Sequence, residues 1–166
     1  YFGEVSQAEM RSLIELASQT GWRTALQTRY KDTNSELYVY AADLNRASWI
    51  PLLPIGPQST VLDVGSGLGA LTHALALNYQ RVVSMEPIEE RVRFTRLRLQ
   101  QEGLTNVELL VPYSEGGTLS DLHHVAGDLS RTDTAVYLAA EPKPGQVSVT
   151  ARSLSTVLGT PMQVSG

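Results

Sequence analysis

Two carboxylates and a cluster of small residues are the part of this 166-residue sequence best equipped for chemistry. In the stretch Val61-Leu62-Asp63-Val64-Gly65-Ser66-Gly67-Leu68-Gly69-Ala70-Leu71-Thr72, a short apolar run broken by Asp63 enters a glycine turn. Glycines there let the backbone approach a ligand and adopt φ values that a Cβ forbids. Asp63 falls near the end of a strand expected to be buried, where a carboxylate needs a partner or a ligand to offset its desolvation. Two ligand-binding patterns coincide on this turn. The dinucleotide fingerprint G-x-G-x-x-G/A is met by Gly65, Gly67 and Ala70, with Glu86 at the distance expected of a ribose-binding acid. The pattern acidic-x-G-x-G-x-G is met by Asp63, Gly65, Gly67 and Gly69. Glu86 suits a vicinal diol in either case, because each carboxylate oxygen accepts one O–H.

The elements that must position these groups follow from periodicity. Thr60 to Val64 reads as a first strand, and Leu71, Ala74 and Leu75 share one face of the helix behind the turn. Arg81 to Met85 is a second strand ending at Glu86. Pro87 fits the first turn of a following helix whose stripe is Ile88, Val92 and Leu99, with Gly103 as its stop. Asn106 to Val111 gives a third strand. This alternation predicts a parallel sheet with right-handed crossovers. Farther on, Thr118 to Val125 reads as a short helix, and Thr134 to Ala140 and Gln146 to Ala151 as two strands too close in sequence for a parallel crossover. A hairpin, or loss of a segment between them, follows. Before the first strand, Ser6 and Glu9 form a capping box ahead of Met10, Leu13, Ile14 and Ala17, and Gly21 ends that helix. Trp22, Ala25, Leu26 and Tyr30 mark a second helix, and Leu37, Tyr38, Ala41 and Leu44 a third that ends before Pro51. The three prolines of Ile50 to Pro57 exclude regular structure there. The expected organisation is a helical extension over residues 1–50 and a ligand-binding domain over 51–166.

With Val61-Leu62-Asp63 ahead of Gly65, Gly67 and Gly69, the sequence resembles the class I S-adenosylmethionine-dependent methyltransferases, from about Leu52 to Val111. The resemblance implies an α/β fold: a Rossmann-like parallel sheet with flanking helices, here with an N-terminal helical extension and an incomplete C-terminal part of the sheet. It implies that S-adenosylmethionine is bound at Asp63, Gly65, Ser66, Gly67, Gly69, Glu86 and Pro87, with Asp63 orienting the methionine part and Glu86 holding the ribose hydroxyls. Physical chemistry favours the same cofactor. A carboxylate at Asp63 repels a diphosphate and attracts a sulfonium and an ammonium. Near the end of the third strand, Ser114 and Glu115 are candidates for the adenine amino group, and Tyr113 for stacking. Over Arg81 to Val111 the resemblance points to a small-molecule or carbohydrate-related acceptor. Leu68 to Thr72 is also similar to the ribosomal RNA adenine dimethyltransferases, but the Asn/Asp-Pro-Pro-aromatic motif of amine methylation is absent.

No residue declares itself catalytic. Methylating an oxygen calls for a base or a metal, and Glu141 is the candidate, with His123 and His124 read as surface residues on a helix end. His73 reads as structural, and Arg91, Arg93, Arg96 and Arg98, flanked by glutamates, as a solvated ion-paired face. The absence of cysteine excludes disulfides and thiolate chemistry, and no metal-binding set stands out. A net charge of −4 disfavours a nucleic-acid surface. No apolar run is long enough for a membrane span, and a cytoplasmic location is the default. Two other readings stand beside the methyltransferase: an incomplete or non-catalytic domain that needs a homo-oligomer or partner chain to complete its sheet, and an NAD(P)-binding oxidoreductase.

Overall fold

The computed structural model describes residues 5–53 and 56–111, together with the backbone of 134–138 and 151–155. Three helices come first: α1 (Gln7–Thr20), α2 (Trp22–Tyr30) and α3 (Ser35–Ala42). The Ser6 hydroxyl caps α1 by accepting the Glu9 N–H at 3.2 Å, and Gly21, at φ 89°, ends it. Ser6→Ala should therefore lower stability by about 1 kcal/mol in chemical denaturation, without a change in the denaturant slope. Met10, Leu13 and Ala17 of α1 pack with Trp22, Leu26 and Tyr30 of α2.

The third helix is shorter than its apolar spacing predicts. Asp43 leaves the helical region at ψ 106° and turns its carboxylate onto the Asn45 N–H at 2.8 Å, which starts a separate 3-10 turn at Leu44–Ala47. A second 3-10 turn at Ile50–Leu52 takes Pro51 in its first turn, so this part of the proline-rich lead-in does carry local order.

The strands and their helices follow: β1 (Thr60–Val64), α4 (Ala70–Asn78), β2 (Arg81–Met85), α5 (Glu89–Gln101) and β3 (Val107–Leu110), then β4 (Thr134–Leu138) and β5 (Ala151–Ser155). Pro87 precedes α5 rather than opening it, with Ile88 as N-cap. Gly103 ends α5 at φ 68°, with Leu104 N–H on the Leu99 carbonyl and Gly103 N–H on that of Gln100. The strand order is β3-β2-β1-β4-β5. The first four strands run parallel, whereas β5 runs antiparallel to β4, as a hairpin requires, with Thr134 opposite Ser155. That fifth strand begins at Ala151, where the sequence reading had it end.

Alternation places Val61 and Val82 on the α4 side of the sheet, packed with Ala74 and Leu75, while Leu62, Val83 and Met85 form a second core on the other side. A third core joins the N-terminal helices to Leu68 of the glycine turn and Phe94 of α5. The three leading helices thus pack directly against the elements around the turn. Among the described residues, no helix is long and apolar enough to cross a membrane.

Candidate functional site

Between β1 and β4 the sheet reverses its winding direction, and ligands of open α/β sheets bind at the carboxyl ends of the strands at such a point. The chain leaves β1 there. Gly65 and Ser66 donate their N–H groups to the Met85 carbonyl at 2.8 and 3.2 Å, which ties the turn to the end of β2. Gly65, Gly67 and Gly69 all have positive φ (75°, 57° and 72°), the region that a side chain disfavours. Gly69 is doubly constrained. It caps α4 in the left-handed conformation, and a Cβ placed on it would lie 2.5 Å from Thr95 Cγ2. The third small residue of the turn is therefore Gly69; Ala70 is the first residue of the helix.

Asp63 lies beneath this turn, 1% exposed. The Thr72 hydroxyl, on the first turn of α4, donates to Asp63 Oδ2 at 2.5 Å and sits 3.1 Å from Ser84 Oγ, the residue opposite Asp63 in β2. Burial, opposed by the Thr72 hydrogen bond and aided by the charge of the neighbouring Glu86, pushes the Asp63 carboxyl up to about 6. Glu86 is also buried. Its Oε2 accepts the Gly67 N–H at 2.9 Å and its Oε1 the Ile88 N–H at 3.1 Å, so one carboxylate braces both the turn and the entry to α5. Arg91 Nη1 lies 3.6 Å from Oε1. Around these groups, Gly65 and Pro87 are exposed and Ser66 is half-buried.

The structure therefore brings Asp63, Gly65, Ser66, Gly67, Gly69, Glu86 and Pro87 to one sheet end. Ser114, Glu115 and Tyr113, like Glu141, His123 and His124, lie outside the described residues. His73 is buried, accepts from Arg98 Nε at 3.1 Å, and is held down to about 4 by burial and by Arg98, so its ring is neutral at pH 7. The arginine face differs from expectation. Arg93 pairs with Glu89 on the surface, but Arg91 turns inward to Glu86, and Arg98 is wholly buried. Thr72, Ser84 and Thr95 support the site without having been singled out in the sequence. Thr72 stands one helical turn past the glycines, facing the strand that carries Asp63, and that placement was the available signal.

The chemistry of the donor set favours a cationic ligand. Two buried carboxylates converge on the turn, with the Arg91 guanidinium beside only one of them. A diphosphate would bring negative charge onto both, whereas a sulfonium and an ammonium would relieve their mutual repulsion. Among the described residues, no three His, Asp or Glu side chains gather as a metal site would need. Two shallow depressions lie away from the turn: one beside Arg81, Asn106 and Glu108 at the start of the strands, the other beside Gly21 and Glu102.

A parallel sheet with this turn at its switch point and an acid ending its second strand has the layout of a class I S-adenosylmethionine-dependent methyltransferase. The chain belongs to the protein-L-isoaspartate(D-aspartate) O-methyltransferase family, which residues 11–118 match. S-adenosylmethionine is the methyl donor of this family. Protein-L-isoaspartate O-methyltransferase 1 of Polaromonas sp. is 35% identical over 105 residues, covering 63% of this chain and 42% of the relative. The chain thus spans less than half the length of that relative. Among solved structures, precorrin 8w decarboxylase from Methanobacterium thermoautotrophicum shares 23% identity at a TM-score of 0.45, over 60% of this chain and 64% of the other. The tRNA (m1A58) methyltransferase TrmI from Aquifex aeolicus shares 25% at 0.39, over 44% and 30%.

Proposed function

We propose that this chain carries the methyl-donor site of an S-adenosylmethionine-dependent O-methyltransferase whose acceptor is an L-isoaspartyl residue in a protein. The observation that carries the reading is the buried Asp63 and Glu86 pair around a turn of three positive-φ glycines. Residues 51–166 act as the cofactor-binding domain and residues 1–50 as its helical extension. Glu86 already accepts one N–H on each oxygen, and each oxygen keeps a second lone pair for a ribose hydroxyl. Asp63 acts on the cationic methionine end through its charge in a low-dielectric setting, where Thr72 fixes its orientation. When bound, S-adenosylmethionine supplies an electrophilic methyl group on a sulfonium.

The acceptor follows the relative's protein substrate rather than a small molecule, and it changes what the chain must provide. A carboxylate acceptor is ionised at pH 7, with a pKa near 4. It attacks without a general base or a metal, so orientation and exclusion of water supply the rate.

The test combines calorimetry with methyl transfer. S-adenosylmethionine should bind with measurable heat, and transfer should reach a peptide with an L-isoaspartyl linkage but not its ordinary aspartyl counterpart. No heat at millimolar cofactor, or tighter binding of NAD, would overturn the cofactor reading. Binding with equal or preferential transfer to a small-molecule acceptor would overturn the acceptor reading alone.

A further inference from the structure

Among the described residues, Arg98 is the largest side chain fully shut off from solvent, and it lies outside the set of residues proposed to surround the ligand. It projects from the third turn of α5 into the junction of four other elements. Its guanidinium lies 3.8 Å from the centre of the Trp22 ring at the start of α2. Nε donates to His73 Nδ1 on α4 at 3.1 Å. Nη1 donates to two carbonyls: that of Ala41 in the last turn of α3, at 2.7 Å, and that of Leu68 inside the glycine turn, at 3.2 Å. Nη2 has no hydrogen-bond partner among the described residues. Burial and the nearby Arg23 pull the Arg98 guanidinium down to about 9, against the opposing charge of Glu102. Glu102 is itself held by the Trp22 indole N–H at 2.7 Å and by Arg23.

Packing alone does not account for such a residue. A buried cation with an unused donor is expensive, and an apolar side chain of similar volume would fill the same space at lower cost. What an apolar residue cannot do is hold two backbone carbonyls from segments far apart in sequence. One of them belongs to the residue between Gly67 and Gly69, two of the three turn glycines whose backbone angles any side chain would disfavour. One helical turn earlier on α5, Thr95 Oγ1 donates to the Gly67 carbonyl at 3.4 Å. Two consecutive carbonyls of the turn are therefore drawn inward by the same helix. A glycine turn with three positive-φ residues has many alternative conformations, and fixing its carbonyls removes that freedom before any ligand arrives.

We propose that Arg98 is a positioning residue for the methyl-donor turn: it sets the Leu68 peptide and makes donor affinity depend on the placement of α2 and α3 against it. The dependence arises because the same Nη1 needs the Ala41 carbonyl, and the guanidinium needs the Trp22 face, to stay in place. The proposal rests on the cofactor reading above, so its test needs one arm that uses no cofactor.

Arg98→Lys and Arg98→Met are compared with the unaltered chain at a temperature where circular dichroism shows each fully folded. A lysine ammonium keeps the charge but lacks the planar fork that serves His73 and two carbonyls together. Both variants should bind S-adenosylhomocysteine at least about tenfold more weakly, roughly the loss of one hydrogen bond to a charged group. In the ligand-free protein, exchange of the Gly69 amide, whose N–H is held by the Ser66 carbonyl at 2.9 Å, should be at least about tenfold faster in Arg98→Lys. Ser6→Ala, which weakens α1 away from Arg98, should leave both readouts unchanged. Folded variants with affinity within twofold of the unaltered chain and unchanged Gly69 exchange would reduce Arg98 to a packing residue. If the unaltered chain fails to bind, the cofactor reading falls, and Gly69 exchange still decides whether Arg98 sets the turn.

Discussion

Replacing Asp63 by Asn should stabilise the ligand-free protein above pH 6 and weaken S-adenosylmethionine binding by about 10- to 100-fold. Both effects come from the same burial. In the folded protein the carboxyl keeps its proton up to about pH 6, whereas an unperturbed aspartate loses it near 3.8. The native state therefore binds more protons than the unfolded chain between those values, and stability falls as pH rises across that window. Above it the penalty is fully present and amounts to roughly 3 kcal/mol. Asparagine removes the charge and keeps an acceptor oxygen for the Thr72 hydroxyl. Denaturant titrations from pH 4 to pH 8 should show a falling stability for the natural sequence and a flatter line for Asp63→Asn, with the variant higher at pH 8. Donor affinity should move the other way, rising in the natural sequence as Asp63 ionises and staying flat in the variant. A variant less stable at pH 8, or one that binds the donor unchanged, would remove Asp63 from its assigned role. Tighter NAD binding in the variant would instead support the oxidoreductase alternative.

The residues proposed to meet the ligand were legible because their constraint is local. Asp63, Gly65 and Gly67 follow one another within a turn, and Glu86 ends the next strand, so strand-turn-helix order alone places them together. Gly69 against Ala70 was not decidable in this way, since what excludes a Cβ at Gly69 is Thr95 on a different helix. The supporting shell was the least legible part. Arg91, Thr95 and Arg98 of α5 and its C-cap Glu102 recur at helical spacing along one line, yet arginines and glutamates usually face water, and flanking acids made a solvated face the natural reading. That line instead meets Glu86, the glycine turn and Trp22. The apolar faces of the first two helices could be read directly. Their packing against Phe94 and Leu68 could not, because periodicity shows that a face is buried and not what buries it. The end of α3 was missed for a smaller reason: Asp43 acts as the cap of a new turn, and its local hydrogen bond outweighs the continued apolar spacing to Leu44.

Gly69→Ala should be among the most damaging single-methyl changes available in this chain, at about 2 to 5 kcal/mol of stability, together with loss of donor binding. Two independent terms contribute. At φ 72° an L side chain in the left-handed region costs about 1 to 2 kcal/mol. The added methyl also meets Thr95 Cγ2 at 2.5 Å and Oγ1 at 2.7 Å. Thr95 is fully buried on a helix, where a β-branched side chain has little rotamer freedom, so relief requires α5 or the turn to move, at roughly 1 to 3 kcal/mol. A double-mutant cycle separates the terms. Thr95→Ala removes the two closest atoms but leaves the Thr95 Cβ at 3.0 Å, so Gly69→Ala should be less damaging in that background, though never neutral. Because the Thr95 hydroxyl also holds the Gly67 carbonyl, donor affinity should not return with stability in the double variant. Strict additivity of the two stability changes would show that the turn and α5 are not in contact as described. A stable Gly69→Ala protein with unaltered donor affinity would move the ligand away from this turn.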